Sequence, residues 1–480
     1  MLFNSIEYFL FLPLFFALYW TLAKYSTIRT RNIFILAGSY VFYGWWDWKY
    51  LILIIISSFI DYFVGIGISR NESKKIKKRF LYLSLAANLG MLGYFKYSNF
   101  FIENFAELLQ SIGFNPNISS LEIILPVGIS FYTFQTLSYS IDIYRGKMKP
   151  TKDIVAFFTY VSFFPQLVAG PIERAINLLP QFYERTKFSF AEARMGMQQI
   201  LWGLFKKIVI ADNCAIIVKQ IFENYETQGS LTLIYGSVLF AFQIYGDFSG
   251  YSDIAIGTSR LLNFKLHKNF AYPYFSRDIA EFWRRWHISL STWFRDYLYI
   301  PMGGSHGSRR KVIFNVFVIF LVSGFWHGSK WNFIIWGGLN AIYFIPLLLR
   351  NKNRKNTNII AENSYLPSFN ELIQVLFTFG LTCFAWIFFR AETMTDAVGY
   401  IKSILYLKSG FYFHRIHLIT IFFPIFLLIV VEWINRRKEF GLALESSSPK
   451  LFRWSLYSMF IILIAFIGSF EKAEFIYFQF

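Results

Sequence analysis

Two of the six histidines stand in stretches where an ionisable side chain is unusual. His287 lies inside the tryptophan-rich "FWRRWHISLSTWFRDYLYIPMGGS", and His327 lies between glycines in "SGFWHGSK". An ionisable residue at membrane depth is expected to be functional, and histidine is the usual general base near neutral pH. The remaining histidines lie in basic or loop-like stretches and are predicted to be peripheral: His267, His306, His414 and His417. His287 and His327 therefore indicate proton-transfer chemistry.

The first of these stretches, Phe282 to Ser305, has the pattern of one amphipathic helix. Its apolar face follows spacings of three and four residues through Trp283, Trp286, Leu290, Trp293 and Tyr297. A polar stripe runs beside that face through Arg284, His287, Ser291 and Arg295. Two interpretations stay open. The arginines bind lipid phosphates, or the stripe faces a buried channel where Arg284 and Arg295 contact a phosphate-bearing donor.

The second stretch, Val312 to Leu349, is too long for one membrane crossing and is predicted to turn near "HGSK". Its first arm, Val312 to Trp326, is roughly 22 Å long at a rise of 1.5 Å per residue. Because a bilayer core is about 30 Å thick, we expect His327 at the floor of a depression. Gly324 and Gly328 form a small-xxx-small pair, which predicts the close approach of a neighbouring helix.

The elements that carry these residues must be membrane helices. The 480-residue chain is 55% hydrophobic and 21% aromatic, which excludes an ordinary soluble domain. The net charge of +18 is spread over short basic clusters between apolar runs, which is typical of topology determinants and not of a nucleic-acid site. Cys214 and Cys383 predict neither a disulfide framework nor a zinc site. The apolar N-terminus is interpreted as a retained first helix.

The charge pattern predicts an all-α, polytopic membrane protein with both termini outside the cytosol. We expect roughly 11 spanning helices, plus re-entrant or broken helices between about residues 150 and 230, where proline and glycine interrupt apolar sequence. Residues 1–480 are predicted to form a single membrane domain. Its last part, residues 474–480, is an extracytoplasmic aromatic tail.

Several motifs together resemble the membrane-bound O-acyltransferase (MBOAT) family. They are "RRWHISLSTWFRDYLYIPMGG", "SGFWHG", "PVGISFYTFQTLSYSIDIYRG", "FFPQLVAGPIER", "QIYGDFSGYSDIAIG" and "FFRAETMTDA". The likeness is to the bacterial branch of alginate O-acetylation and teichoic acid D-alanylation proteins. Chain length, the apolar start and "FFRAETMTDA" favour the alginate type.

This resemblance implies a ring of helices around a thin core, with a central funnel that reaches the active histidine. It implies that His327 is the catalytic residue and His287 the second histidine of the pair. The acyl donor is then a cytosolic thioester, carried by coenzyme A or by the phosphopantetheine arm of an acidic carrier protein. No bound cofactor and no metal are expected. The acceptor side involves an extracytoplasmic acyltransferase partner or a polysaccharide.

The chain ends in "EFIYFQF", for which two interpretations stay open. The tail lies in the headgroup belt, or it folds back and brings Tyr477 to His327. It resembles the tyrosine-bearing C-terminal motif that accompanies bacterial members of the family, on which the tyrosine is taken to hold the acyl group transiently. A phenol has a pKa of about 10, which favours its deprotonation by a histidine. Tyr477 is therefore a candidate relay nucleophile.

We expect an O-acyltransferase of the bacterial cytoplasmic membrane that moves an acyl group, acetyl being favoured, to a cell-envelope polymer or exopolysaccharide. The alternative is a polytopic transporter or flippase of lipid-linked sugars, which would share the composition and the basic loops. A purely structural membrane anchor would not require His327. No matching halves of a transporter are found in the sequence.

Overall fold

A computed structural model describes residues 1–115, 121–168, 170–412, 414–445, 447–470 and 475–476. Throughout these ranges the chain forms helices and no β-strand, as an all-α membrane protein requires. The chain divides into two compact units. Unit 1 comprises Met1–Ala193 with Ser259–Leu266, and unit 2 comprises Arg194–Thr258 with His267–Phe480. The expectation of a single domain over residues 1–480 stays a prediction.

Unit 1 is built from nine helices of the described chain, and the first two begin at polar caps. Ser5 and Thr27 cap the first two helices, because their hydroxyls accept backbone N–H groups that have no partner inside a helix. The helices are α1 (Ile6–Tyr25), α2 (Ile28–Asp47), α3 (Leu51–Arg70), α4 (Lys74–Leu92), α5 (Ser98–Ser111), α6 (Ile129–Tyr144), α7 (Ile154–Ser162), α8 (Phe164–Leu167) and α9 (Ala175–Leu178). A short 3₁₀ turn, Trp48–Tyr50, separates α2 from α3.

Unit 2 carries all the candidate site residues. Its helices are α10 (Phe190–Leu204, of which the first four residues belong to unit 1), α11 (Asp212–Glu223), α12 (Ser230–Leu261, of which the last three belong to unit 1), α13 (Ile279–Arg285), α14 (Ile288–Phe294), α15 (Arg309–His327), α16 (Trp331–Leu349), α17 (Phe369–Arg390), α18 (Met394–Leu405), α19 (Phe423–Ile434) and α20 (Lys450–Ile467). Ser368 with Glu371 forms a capping box at the start of α17, and Thr393 with Asp396 does so at α18.

Among the described residues, seven helical stretches are long and apolar enough to cross a membrane, so the protein is a multi-pass membrane protein. The expected count of roughly 11 stays a prediction. Broken helices are found in the region between residues 150 and 230, because α7 ends at Ser162 and α8 begins after a break at Phe163. In the same region a π-helical segment, Phe205–Ala211, joins α10 to α11 without a break. That segment carries Lys206 and Lys207, whose ammonium groups are buried and paired with carboxylates.

The expected hairpin is confirmed. It consists of α15 and α16, and the chain turns over Gly328–Lys330. Gly324 allows the close approach, because a Cβ atom there would lie 2.2 Å from the Phe333 carbonyl oxygen. Gly328, the C-cap of α15, is closely approached as well, because a Cβ atom there would lie 2.2 Å from the Phe333 ring of α16. The sequence prediction did not include Gly337 of α16, where a Cβ atom would lie 2.3 Å from the Phe320 oxygen.

The prediction of one continuous helix from Phe282 to Ser305 is wrong. The chain breaks between α13 and α14 at Trp286 and His287, and His287 has a φ of +43°, in the left-handed region. A π-helical turn, Arg295–Tyr299, then ends the segment. Because the break changes the direction of the chain, the side chains at 284, 287 and 295 do not form one stripe. Arg284 and Arg295 are exposed, and His287 is buried.

Candidate active site

His327 is the last residue of α15 and is enclosed by aromatic rings. Its ring centroid lies 4.8 Å from Trp326, 5.1 Å from Trp336 of α16 and 5.4 Å from Phe389 of α17. All three rings stand edge-on to the imidazole. The side chain is 3% exposed. These walls shield the imidazole from bulk water.

His287 is held at the break between α13 and α14. Its Nδ1 lies 3.1 Å from Oδ1 of Asn269, and the same oxygen accepts hydrogen bonds from the backbone N–H and the hydroxyl of Ser289. Since a backbone N–H can only donate, the Asn269 atom is an acceptor, and the proton of His287 must sit on Nδ1. Nε2 is therefore the nitrogen of His287 that can accept a proton.

The structure brings the two histidines to one indole. The Trp326 ring lies 6.1 Å from the His287 ring and 4.8 Å from the His327 ring. Trp286, Trp336 and Trp386 continue this aromatic layer, with centroids 5.2 Å and 5.5 Å apart along the series 286–386–336. Sequence reasoning grouped the two histidines correctly. It did not identify the tryptophans as the surface that the histidines share.

The two candidate arginines lie away from the histidines. Arg284 of α13 contacts a loop, and Arg295 lines a cavity. The Arg284 guanidinium donates to the carbonyl oxygens of Asn353 and Asn356, at 2.8 and 2.7 Å. Arg295 pairs with the adjacent Asp296 at 2.7 Å and lines a cavity of about 720 Å³. Arg309 at the start of α15 and Arg354 after α16 line the same cavity. Both ends of the hairpin therefore carry an arginine that lines this cavity.

The aromatic tail returns to this site as far as the structure describes it. Phe475 and Ile476 are buried, at 1% and 2% exposure, as the folded-back interpretation requires. The Phe475 ring lies 6.1 Å from Phe248, whose ring stands 4.5 Å from that of His287. Tyr477 itself lies outside the described residues.

Sequence reasoning missed two residues, Asn269 and Asp247. Asn269 positions His287, but an asparagine in a loop carries no pattern that could identify it. Asp247 is different, because it is an ionisable residue in the long apolar helix α12. The rule that singled out His327 applies equally to that carboxylate.

The fold and these motifs define a membrane acyltransferase. Residues 149–389 match the model of the membrane-bound O-acyltransferase family. The chain is 39% identical to the probable alginate O-acetylase of Pseudomonas aeruginosa over 82% of this chain and 72% of that protein. It is 35% identical to the peptidoglycan O-acetyltransferase of Helicobacter pylori, over 85% of this chain and 80% of that protein. The teichoic acid D-alanyltransferase of Bacillus subtilis is 27% identical over 55% of this chain and 69% of that protein.

The protein therefore belongs to the membrane-bound O-acyltransferase family and is an O-acyltransferase. The comparisons do not favour the alternative of a transporter or flippase.

Proposed function

We propose that the protein moves an acetyl group from a cytosolic thioester across the bacterial cytoplasmic membrane to hydroxyls of an envelope or exported polymer. The support is the similarity to an alginate O-acetylase and to a peptidoglycan O-acetyltransferase. The acceptor is then a polysaccharide or the glycan of peptidoglycan, reached directly or through an extracytoplasmic acyltransferase partner.

His327 is the general base of this reaction. It takes the proton of an attacking hydroxyl, and the oxygen adds to the thioester carbonyl. When the tetrahedral intermediate collapses, the C–S bond breaks, and the sulfur leaves as a thiol after taking the proton from the imidazolium. The observation that carries this assignment is the enclosure of the imidazole by Trp326, Trp336 and Phe389. General-base catalysis of this kind contributes about 10²- to 10⁴-fold.

His287 assists from the other side of Trp326. The Asn269 oxygen fixes its tautomer, so Nε2 is the nitrogen that can exchange a proton with a reactant. In this proposal His287 orients the acyl group or the acceptor, and His327 performs the deprotonation.

The donor binds on the arginine-lined side. The cavity of about 720 Å³ that is lined by Arg295, Arg309 and Arg354 suits an anionic phosphate group, which both coenzyme A and a phosphopantetheine arm carry. Arg284 holds the loop that contains Arg354 through its bonds to Asn353 and Asn356. A lipid headgroup carries the same phosphate group. The variant Arg354→Ala separates the two ligands, because its donor KM and its vesicle binding can be measured independently.

Tyr477 is the relay nucleophile in this scheme. Its phenol oxygen attacks the thioester first, and the aryl ester then passes the acyl group to a polymer hydroxyl or a partner's serine. The buried position of Phe475 and Ile476 supports this role, because the Phe475 ring packs near Phe248, which contacts His287.

The test of the proposal is His327→Ala in the purified full-length protein. Acyl transfer from a labelled thioester should fall by at least about 100-fold, because the base is lost. The thermal unfolding midpoint should stay near that of the wild type. The matched control is His414→Ala, at an exposed histidine away from the aromatic layer, and it should transfer normally. Transfer by His327→Ala at the wild-type rate would refute the assignment.

A further inference from the structure

A buried charge cluster joins the π-helical segment to α12. Nζ of Lys207 lies 2.7 Å from Oδ1 of Asp212 and 2.7 Å from Oδ1 of Asp247. All three side chains are nearly inaccessible, with exposures of 2%, 2% and 4%. Two carboxyl groups share one ammonium group in this cluster. A buried carboxylate in this position needs a further hydrogen-bond donor.

The aromatic tail supplies that donor. The backbone N–H of Ile476 donates to Oδ2 of Asp247 at 2.7 Å, across 229 positions of the chain. Since Oδ1 of the same carboxylate faces Lys207, Asp247 links the charge cluster to the tail. A hydrogen bond to a charged acceptor is stronger than one between neutral groups.

Two rings of α12 complete the contact. The Phe475 ring lies 4.6 Å from that of Tyr251 and 6.1 Å from that of Phe248. We call Asp247, Phe248 and Tyr251 the tail seat. Phe248 also touches the His287 ring at 4.5 Å, so the tail seat and the active site share a residue.

We propose that Asp247 is a positioning residue that seats the aromatic tail beside His287. Its carboxylate binds the backbone of residue 476, so this contact does not depend on the side chain there. The inference rests on the proposed role of the tail in acyl transfer. It adds the site that holds the tail and the buried carboxylate whose charge strengthens the hydrogen bond to the tail.

The first experiment measures the tail directly, by hydrogen exchange of the C-terminal peptide in the full-length protein. Asp247→Asn keeps the volume of the side chain, but its single oxygen cannot serve both Lys207 and the Ile476 N–H. We expect exchange in this peptide to become at least about tenfold faster. Lys207 keeps Asp212 as its partner, so exchange in α12 and α15 should not change.

The matched control is Asp212→Asn, the same isosteric change at the other carboxylate of the same lysine. It leaves Asp247 paired with Lys207 and leaves the tail contact in place, so exchange of the tail should equal that of the wild type. Equal acceleration by both variants would overturn the proposal, because the cluster would then be only a support for the fold. Unchanged tail exchange in Asp247→Asn would overturn it as well.

A second pair of variants removes the donor and leaves the cluster intact. Ile476→Pro has no backbone N–H at this position, whereas Ile476→Ala keeps it. We expect kcat to fall about tenfold or more in Ile476→Pro with little change in the KM for the donor, and a smaller loss in Ile476→Ala. If these two variants have equal kcat, the backbone contact does not position the tail.

These readouts separate the tail seat from the relay. If Tyr477 is not a nucleophile, Tyr477→Phe transfers normally, but the tail exchange of Asp247→Asn still rises. If Asp247 does not hold the tail, that exchange stays unchanged, whatever the activity of Tyr477→Phe.

Discussion

At the scale of single residues, His287 owes its orientation to Asn269. The Asn269 oxygen accepts from His287 Nδ1 and from two groups of Ser289, which leaves one tautomer. This arrangement explains why a histidine occupies a left-handed backbone position. The hydrogen bonds of the break stabilise a conformation that L-residues seldom adopt.

Replacing Asn269 tests this positioning. Asn269→Ala frees His287 to take the other tautomer, so we expect kcat to fall about 3- to 10-fold, the value of one lost hydrogen bond. The control is Ser289→Ala, which removes a hydrogen bond to the same oxygen and leaves His287 bound. Single-turnover assays with labelled donor would measure the rate of transfer in each of the two variants. Equal losses in the two variants would mean that Asn269 acts through the backbone and not through the tautomer.

A second prediction at this scale concerns the relay. Tyr477→Phe keeps the ring and removes the oxygen that would carry the acyl group, so transfer should stop while the unfolding midpoint stays constant. Mass spectrometry of the tail peptide after donor is added should find an acyl group on the wild type and none on the variant. Full activity in Tyr477→Phe, or an unmodified wild-type tail, would exclude the relay.

At the scale of elements, the α15–α16 hairpin places His327 at the end of α15, beside the turn. The length of the apolar run and its glycines predicted the hairpin. Its first arm is longer than expected, because α15 runs over the 19 residues Arg309–His327. The break at His287 could not be predicted in the same way. The helical spacing of its tryptophans is regular, and the Asn269 contacts that stabilise the break come from a loop 18 positions away. The tertiary hydrogen bonds outweigh the local pattern.

Two adjacent glycines of α16 provide a test of the hairpin. Gly337→Ala places a methyl group against the Phe320 carbonyl, so it should push α15 away and cost about 1–3 kcal/mol. The apparent unfolding midpoint and acyl transfer should both fall. Gly338→Ala is the matched control, because its nearest neighbour is a Leu321 methyl group at 3.7 Å. That variant should be neutral or slightly stabilised, since alanine is the better helix former. If Gly337→Ala and Gly338→Ala lower the unfolding midpoint equally, the close crossing of α15 and α16 is not the cause of the loss.

At the scale of the whole molecule, the distribution of charge is the basis for the proposed donor side. The net charge of +18 indicated a basic cytosolic face, but the sequence alone could not separate topology determinants from a binding site. In the structure, Arg309 and Arg354 line one cavity although they are 45 positions apart. This arrangement favours a binding site over topology determinants alone. Long-range proximity of this kind leaves no local signal in the sequence.

A further prediction concerns the cavity that Arg295, Arg309 and Arg354 line, which is the proposed donor site. Arg354→Ala should raise the KM for the thioester donor by about tenfold and leave kcat nearly unchanged, because it removes binding and not chemistry. Arg310→Ala is the control, since it removes the same charge beside Arg309 but does not line the cavity. High salt should weaken donor binding in the wild type more than in Arg354→Ala. If Arg354→Ala instead loses vesicle binding with an unchanged donor KM, the arginines contact lipid headgroups.

The contact between Asp247 and Ile476 has a consequence for the order of folding. It joins positions 229 apart, so it closes a long loop of chain. The α15–α16 hairpin, by contrast, closes over a three-residue turn and can form as soon as both arms have entered the bilayer. The aromatic rings around His327 should therefore assemble before the tail reaches the tail seat.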